Sequence, residues 1–152
     1  MKRLFYPSVA SPMKPSSVPL FELDEFVPLP GPTVTRRRVL IIEDNKDGAD
    51  SLKVLLDLLG HETRVAYNGL DGVKQADEWR PDVVLCDIGL PGLNGYEVAA
   101  ELTRRSVRST ARLIAVTAYA DDESRQRAAD AGFHHHVAKP ADLAVLLPLV
   151  AG

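Results

Sequence analysis

Residues 81–97 read Pro-Asp-Val-Val-Leu-Cys-Asp-Ile-Gly-Leu-Pro-Gly-Leu-Asn-Gly-Tyr-Glu, and the architecture of the chain can be worked out from this segment. Its apolar run Val83–Cys86 contains no alternating polar positions. Such a run is typical of a strand covered on both faces in a parallel sheet. Asp87 follows directly, and a loop with Gly and Pro comes next. The segment therefore predicts a buried strand that carries a carboxylate at its carboxyl end.

Similar runs recur along the chain and alternate with helical spacing. The other continuous apolar runs are 39–42 and 113–116, and weaker strand candidates are 62–66 and 135–138. Apolar residues at helical spacing predict helices near 52–59, 71–79, 95–105 and 123–131. Asp142 is placed to cap a short fifth helix. Strands that alternate with helices predict an α/β domain with a doubly wound, five-stranded parallel sheet and helices on both faces.

Composition indicates one domain preceded by a tail. The chain has 152 residues, and domains usually contain about 100–200. Seven of the 11 prolines fall within residues 1–35. Because proline removes a backbone donor and disfavours helix at the preceding residue, we expect a largely disordered Pro-rich tail over 1–35. The domain is expected to span 36–152.

Charge and cysteine usage exclude several classes of partner. A net charge of −3 provides no overall basic field, so nucleic acid is not an expected partner. The single cysteine, Cys86, forms no intrachain disulfide and is expected to be an ordinary core residue. No apolar run approaches the roughly 20 residues needed to span a membrane. We therefore expect a cytoplasmic protein with no membrane contact.

Polar side chains stand where the predicted strands end. Glu43 and Asp44 follow the first strand, Asp87 the third, Thr117 the fourth and Lys139 the fifth. In doubly wound sheets these ends meet at one edge, where ligands bind. Carboxylates packed together repel one another at neutral pH, so the cluster requires either a cation or a raised pKa on one of its carboxyl groups. Mg²⁺ fits best, because it takes oxygen ligands from carboxylates together with phosphate oxygens.

These residues resemble the receiver domain of response regulators in bacterial two-component signal transduction. The resemblance covers about residues 38–150. It rests on Val-Leu-Ile-Ile-Glu-Asp-Asn at 39–45, the 81–97 segment quoted above, Ala-Val-Thr-Ala at 115–118 and Ala-Lys-Pro at 138–140. It implies the flavodoxin-like strand order 2-1-3-4-5.

The resemblance also implies roles for individual residues. Asp87 would be the phosphoacceptor, attacking a phosphohistidine of a sensor histidine kinase or a histidine phosphotransfer protein. Asp44 would ligate Mg²⁺ directly, Glu43 largely through water, and Gly89 through its backbone carbonyl.

Two further residues receive roles in the same way. Thr117 would swing toward the phosphoryl group, and Lys139 would pair with it. The Lys139–Pro140 peptide bond is cis in many members of the family.

Two features depart from the family pattern. His136 occupies a position that often carries Tyr or Phe and rotates inward on activation, so we expect it to act with Thr117 as a switch. Pro148 removes a hydrogen bond from the last helix and clashes with the carbonyl of Ala144. A dimer through the usual face of helices four and five is thus disfavoured, and a monomer is expected.

Three hypotheses for function follow. The first is a phosphoacceptor module, free-standing or the receiver end of a hybrid kinase. Because the sequence ends at Gly152, it is expected to lack a DNA-binding or enzymatic output domain and to signal to an unknown downstream protein by contact. Its catalysis would be limited to its own phosphorylation and dephosphorylation. The second is an aspartyl-phosphate phosphatase of similar fold, although Gly89 stands where those enzymes carry a general-acid Asp. The third is a phosphorylation-independent scaffold.

Overall fold

The computed structural model describes residues 35–152, so the predicted tail over 1–35 lies outside the described part of the chain except for Thr35. Five strands alternate with five helices. In chain order they are β1 (Arg38–Ile42), α1 (Lys46–Leu58), β2 (Glu62–Ala66), α2 (Gly69–Trp79), β3 (Val83–Cys86), α3 (Gly95–Arg104), β4 (Arg112–Thr117), α4 (Asp122–Ala131), β5 (His135–Ala138) and α5 (Leu143–Ala151).

The sheet has the predicted topology. All four strand pairings are parallel, and the spatial order is β2-β1-β3-β4-β5. The register aligns Ile42 of β1 with Cys86 of β3, and Cys86 with Ala115 of β4. Because these strands run in the same direction and end nearly level, the residues that follow them meet at one edge of the sheet.

Two apolar cores cover the two faces of the sheet. On one face α2, α3 and α4 pack over the alternate strand residues Leu40, Val84 and Leu113. On the other face α1 and α5 pack over Val39, Leu85 and Ile114. The continuous apolar runs predicted to be covered on both faces are buried, apart from the partly buried Val116, which confirms the doubly wound fold. Within residues 35–152 no helix is both long enough and apolar enough to cross a membrane.

The helix boundaries differ from the predicted ones where short polar side chains cap the helices. α2 begins at Gly69, two residues before the predicted start, because the Asn68 side chain accepts a hydrogen bond from the Asp71 backbone N–H. Asp121 caps α4 in the same way through the Ser124 N–H, so that helix starts at Asp122. Apolar spacing cannot reveal these first turns, which are held by side-chain to backbone hydrogen bonds.

α5 continues through Pro148, which the sequence suggested would disrupt it. The helix spans Leu143–Ala151 with Asp142 as the predicted cap, and the Asp142 side chain accepts from the Ala144 N–H at 2.9 Å. Pro148 lies on the exposed side of the helix. Its missing hydrogen bond therefore falls on a turn that water can reach, where an unpaired backbone carbonyl is tolerated.

Gly95 permits the close approach of α3 to the end of β3. A Cβ atom at Gly95 would lie 2.5 Å from the Asp87 carbonyl oxygen and 2.6 Å from the Ile88 Cα. Both are backbone atoms and cannot rotate away. Gly95 also donates its N–H to the Ile88 carbonyl at 2.9 Å. The absence of a side chain at this position therefore locks the loop that carries Asp87 against α3.

Two histidines tie neighbouring strands together at the opposite edge of the sheet. His61 Nδ1 accepts from the Arg37 N–H at 3.1 Å, and His134 Nδ1 accepts from the Leu113 N–H at 2.9 Å. A nitrogen that accepts a hydrogen bond cannot also hold a proton, so both imidazoles are neutral here. Burial lowers the pKa of His61, and Arg37 lowers it further. Burial also lowers the pKa of His134, with Arg108 adding to the effect.

Gly95→Ala should destabilise the domain by about 1–3 kcal/mol, the usual range for overpacking. Gly48→Ala is the matched control, because a Cβ there would meet only the Asn45 side chain at an ordinary 3.4 Å. In the control the helical preference of Ala should leave stability unchanged or raise it by about 0.5–1 kcal/mol. Urea unfolding measures both variants, and equal stabilities would contradict the described packing.

Stability should fall on acidification through about pH 6.5, because the unfolded chain then binds protons that the two folded histidines resist. The double variant with His61→Asn and His134→Asn keeps an acceptor oxygen near each Nδ1 but does not titrate. Between about pH 7.5 and pH 5.5 the free energy of unfolding of this variant, measured by urea titration at each pH, should fall less than that of the wild type. An identical loss in both proteins would show that these hydrogen bonds do not sense pH.

Candidate functional site

The sheet brings the polar residues predicted at its carboxyl edge into one place. Glu43 and Asp44 follow β1, Asp87 follows β3, and Lys139 follows β5. Thr117 is the last residue of β4 rather than the first residue beyond it, because β4 runs one residue longer than the apolar run suggests. The register pairs Thr117 with Ala138, so Thr117 lies beside the strand end that precedes Lys139.

Three carboxylates form the centre of the site. Glu43, Asp44 and Asp87 each offer one carboxylate oxygen, and these oxygens all lie within 4.8 Å of one another. The Glu43 and Asp87 side chains are mostly buried, whereas Asp44 is exposed. The cluster therefore has a buried floor and one open side.

Lys139 is the cation that faces this cluster. Its Nζ forms a short ion pair with Glu43 Oε1 and lies 3.5 Å from Asp87 Oδ2. Partial burial opposes the charged form of Lys139. The hydrogen bond to Glu43 and the negative charges of Asp87 and Glu43 outweigh this burial and hold the pKa of Lys139 above its ordinary value. Lys139 therefore stays protonated across the physiological pH range.

The donor set fits a hard divalent cation. Three carboxylates face one ammonium group, and Lys139 makes no ion pair with Asp44 in the described part of the chain. The remaining negative charge lies on the open, solvent-facing side of the cluster. Oxygen donors with room for water are what Mg²⁺ requires. Asp44 and Asp87 are thus suited to hold such an ion, with Glu43 beside them.

The backbone around Asp87 orients its carboxylate. Gly89 donates its N–H to Asp87 Oδ1 at 3.1 Å, and Oδ2 faces Lys139. Gly89 is exposed, and a Cβ added to it would lie 3.9 Å from both Asp87 Oδ1 and the Tyr119 ring. The glycine therefore leaves the Asp87 carboxylate open to solvent on the side of Tyr119.

Thr117 and His136 lie near the site but do not contact the carboxylates through hydrogen bonds within residues 35–152. Thr117 is 1% exposed, and its hydroxyl accepts from the Tyr119 N–H at 3.2 Å. His136 pairs with Ala115, two residues before Thr117, so both side chains point to the α4 side of the sheet. Neither ring nitrogen of His136 has a hydrogen-bond partner in the described residues, although both are shielded from solvent.

A cleft of about 330 Å³ opens beside the carboxylates. Glu43, Asp87 and Lys139 line its polar end, and Ala49 and Leu52 of α1 line part of its apolar side. The Lys139–Pro140 bond, which forms part of the rim, is cis, as the family resemblance implied. The Asp87 carboxylate therefore lies on the wall of an open cleft.

Cys86 directly precedes Asp87 and is a buried thiol. It is 1% exposed, and burial raises the pKa of its thiol, with Asp87 and Glu43 adding to the effect. The interpretation of Cys86 as a core residue is confirmed.

Sequence reasoning missed two residues that shape the site. Asn45 donates its N–H to Glu43 Oε2 and caps α1 through the Gly48 N–H, which fixes the glutamate beside the helix start. The signal was present, since Asn directly before a helical pattern is a common cap. Tyr119 holds the Thr117 hydroxyl through its backbone and lies close to Gly89, and no local pattern pointed to it.

Comparison with known proteins agrees with this geometry. The family model described as "response regulator receiver domain" matches residues 39–151. Protein PilH of Pseudomonas aeruginosa is 34% identical over 113 residues, which cover 74% of this chain and 93% of PilH. The polar-differentiation response regulator DivK of Brucella anthropi is 35% identical over 104 residues, which cover 68% of this chain and 85% of DivK.

A solved structure of similar fold contains a magnesium ion. The receiver domain of a sensor histidine kinase from Pseudomonas aeruginosa, with a magnesium ion coordinated in its active-site cleft, superposes with a TM-score of 0.69 at 28% identity. The match covers 76% of this chain and 95% of that one. Given the family match over most of the chain, the five-stranded topology and the acidic cluster at its carboxyl edge, the protein belongs to the response regulator receiver domain family.

Proposed function

We propose that this chain is a phosphoacceptor module that takes a phosphoryl group onto Asp87 in a Mg²⁺-dependent reaction. The donor would be the phosphohistidine of a sensor histidine kinase or a histidine phosphotransfer protein. The observation that carries the proposal is the meeting of Glu43, Asp44 and Asp87 within 4.8 Å, with Lys139 next to Asp87. The phosphorylated form would then signal through altered protein contacts.

The chemistry follows from the surroundings of Asp87. One of its carboxylate oxygens forms a bond to phosphorus while the phosphorus–nitrogen bond of the donor breaks, and the donor imidazole leaves with the electron pair. The Gly89 N–H holds Oδ1 and so limits rotation of the carboxylate. Lys139 places its positive charge where the phosphoryl oxygens arrive.

The metal would be held by Asp44, Asp87 and the backbone carbonyl of Gly89, with Glu43 acting through water. When bound, Mg²⁺ supplies positive charge to the transferring phosphoryl group. The protein's part is to keep Asp44 open to solvent and Glu43 fixed through the Asn45 N–H, so that the ligands do not have to reorganise.

Thr117 and His136 would transmit the effect of phosphorylation to the rest of the domain. Phosphorylation adds about −1.5 to −2 charge units and strong acceptor oxygens, which attract the Thr117 hydroxyl. That hydroxyl would release the Tyr119 N–H and so free the loop after β4. Because both nitrogens of His136 lack hydrogen-bond partners within residues 35–152, the resting arrangement around it is poorly satisfied and would be readily rearranged.

Incubation with acetyl phosphate and Mg²⁺ should add the mass of one phosphoryl group to the wild type. Asp87→Ala should gain none, because the nucleophile is missing. Asp122→Asn, which removes an exposed carboxylate at the start of α4, is the matched control and should react like the wild type. Intact-mass spectrometry reads the outcome, and a phosphoryl group on Asp87→Ala would contradict the assignment.

Lys139→Met should bind Mg²⁺ about threefold or more tightly, because the competing positive charge leaves the carboxylates. The same variant should be phosphorylated about a hundredfold more slowly, because the incoming phosphoryl group loses its cationic partner. Calorimetric Mg²⁺ titration and timed mass spectrometry measure the two effects. The exposed Lys74→Met should change neither, and weaker Mg²⁺ binding by Lys139→Met would count against the charge balance described here.

His136→Leu should raise the free energy of unfolding by about 1 kcal/mol, because it removes two buried nitrogens that have no hydrogen-bond partner in the described part of the chain. It should also reduce the NMR chemical-shift changes around Thr117 that follow addition of beryllofluoride and Mg²⁺, an acyl-phosphate mimic. An unchanged response in this variant would remove His136 from the switch.

A further inference from the structure

The chain contains three asparagines, Asn45, Asn68 and Asn94, and each of them caps a helix. Two of the three precede a glycine, at 68–69 and at 94–95. Asn–Gly is the dipeptide most prone to spontaneous deamidation, because glycine has no side chain to hinder attack of its backbone nitrogen on the asparagine side chain. The fold places the two pairs in different surroundings, so their reactivity should differ.

Packing and capping at the start of α2 favour both residues of the first pair. A Cβ atom at Gly69 would lie 2.3 Å from the Leu93 carbonyl oxygen, so a side chain does not fit there. The Asn68 side chain accepts from the Asp71 N–H at 2.8 Å and donates to Asp71 Oδ2 at 2.9 Å. An aspartate could accept the first hydrogen bond but could not donate the second. These contacts account for an Asn–Gly pair at this position despite its reactivity.

Gly69 and Gly95 differ in the state of the backbone nitrogen that would attack. The Gly95 N–H donates to the Ile88 carbonyl at 2.9 Å. The Gly69 N–H has no hydrogen-bond partner within residues 35–152. A hydrogen-bonded N–H points at its acceptor, and that bond must break before the nitrogen can turn toward a side chain. The attacking nitrogen is therefore available at Gly69 and held at Gly95.

The two asparagines also differ in how firmly their caps hold them. Asn94 is partly buried and belongs to a capping box, in which its side chain accepts from the Glu97 N–H and its own N–H donates to the Glu97 side chain, both at 3.0 Å. Asn68 is exposed, and its backbone N–H makes no hydrogen bond to another residue of the described chain. Asn68 can therefore leave its cap by breaking only its contacts with the exposed Asp71, which water can replace.

We propose that Asn68 is a site of spontaneous deamidation in the folded protein, whereas the fold protects Asn94. The Gly69 nitrogen gives up its proton and bonds to Asn68 Cγ, while the Cγ–Nδ2 bond breaks and the departing nitrogen takes up a proton and leaves as ammonia. Water then opens the cyclic imide. Cleavage of the new bond to Cγ yields aspartate at position 68. Cleavage at the main-chain carbonyl yields isoaspartate, in which the chain continues through the side-chain carbon atoms.

Both products change the start of α2. Aspartate at position 68 would bring a second carboxylate against Asp71 Oδ2, where a hydrogen bond is replaced by repulsion between like charges. Isoaspartate adds a methylene group to the backbone between Tyr67 and Gly69, which displaces the cap from the first turn of the helix. Either product also adds a negative charge to the protein, so molecules that have reacted can be separated from those that have not.

Incubation of the full chain at mildly alkaline pH, followed by peptide mass spectrometry, tests the proposal. Trypsin separates the two sites into peptides 65–74 and 75–104. Deamidation should appear in the first peptide at least about tenfold faster than in the second, because the N–H hydrogen bonds of Asn94 and Gly95 must also break. In urea, where the fold is lost, the two rates should be similar. Equal rates in the folded chain, faster reaction at Asn94, or conversion at Asn68 in urea alone would each overturn the proposal.

Asn68→Ser tests the assignment to one residue. Serine keeps a side-chain acceptor for the cap of α2 but cannot form the cyclic imide, and circular dichroism checks that the variant is folded. After the same incubation, ion-exchange chromatography should show an acidic form that accumulates in the wild type and is almost absent from Asn68→Ser. Asn94→Ser is the matched control and should accumulate the acidic form at the wild-type rate. An undiminished acidic form in folded Asn68→Ser would contradict the assignment.

Discussion

Electrostatic repulsion among Glu43, Asp44 and Asp87 is the constraint on which the rest of the structure depends. Their carboxylate oxygens lie within 4.8 Å of one another, and Lys139 contacts only Glu43 and Asp87. Like charges at this distance disfavour the folded state unless a cation is present. The fold thus holds a destabilised, preorganised anionic site, and the proposed binding of a divalent ion and then a phosphoryl group requires such a site.

The parallel sheet is what makes this concentration of charge possible. Pairing and burial of the strands β1, β3, β4 and β5 stabilise the fold and offset the charge repulsion at the carboxyl edge of the sheet. Gly95 lets α3 close against the backbone of Asp87, and Asn45 fixes Glu43 at the start of α1. At the opposite edge His61 and His134 tie neighbouring strands through backbone hydrogen bonds, far from the chemistry.

Local pattern and strand-end position predicted most of this arrangement. The continuous apolar runs predicted the buried strands, and the residues after them predicted the acidic cluster, while the strand order came from the family resemblance. Hydrogen-bond partners could not be predicted from the sequence in the same way. The hydrogen bond that the Thr117 hydroxyl accepts from the Tyr119 N–H depends on a side-chain rotamer. The same is true of the His136 nitrogens, which find no partner among the residues that the structure describes. The close approach at Gly95 depends on how α3 packs, which a single glycine at the start of a predicted helix does not reveal.

The free energy of unfolding of Asp44→Asn, measured with and without Mg²⁺, tests the central claim most directly. Without Mg²⁺ the variant should be more stable than the wild type, because one repelling charge that Lys139 does not compensate is gone. With saturating Mg²⁺ the order should reverse, because binding stabilises only the protein that retains its ligand. If Asp44→Asn is less stable without Mg²⁺, or if Mg²⁺ stabilises both proteins equally, charge repulsion is not what defines this site.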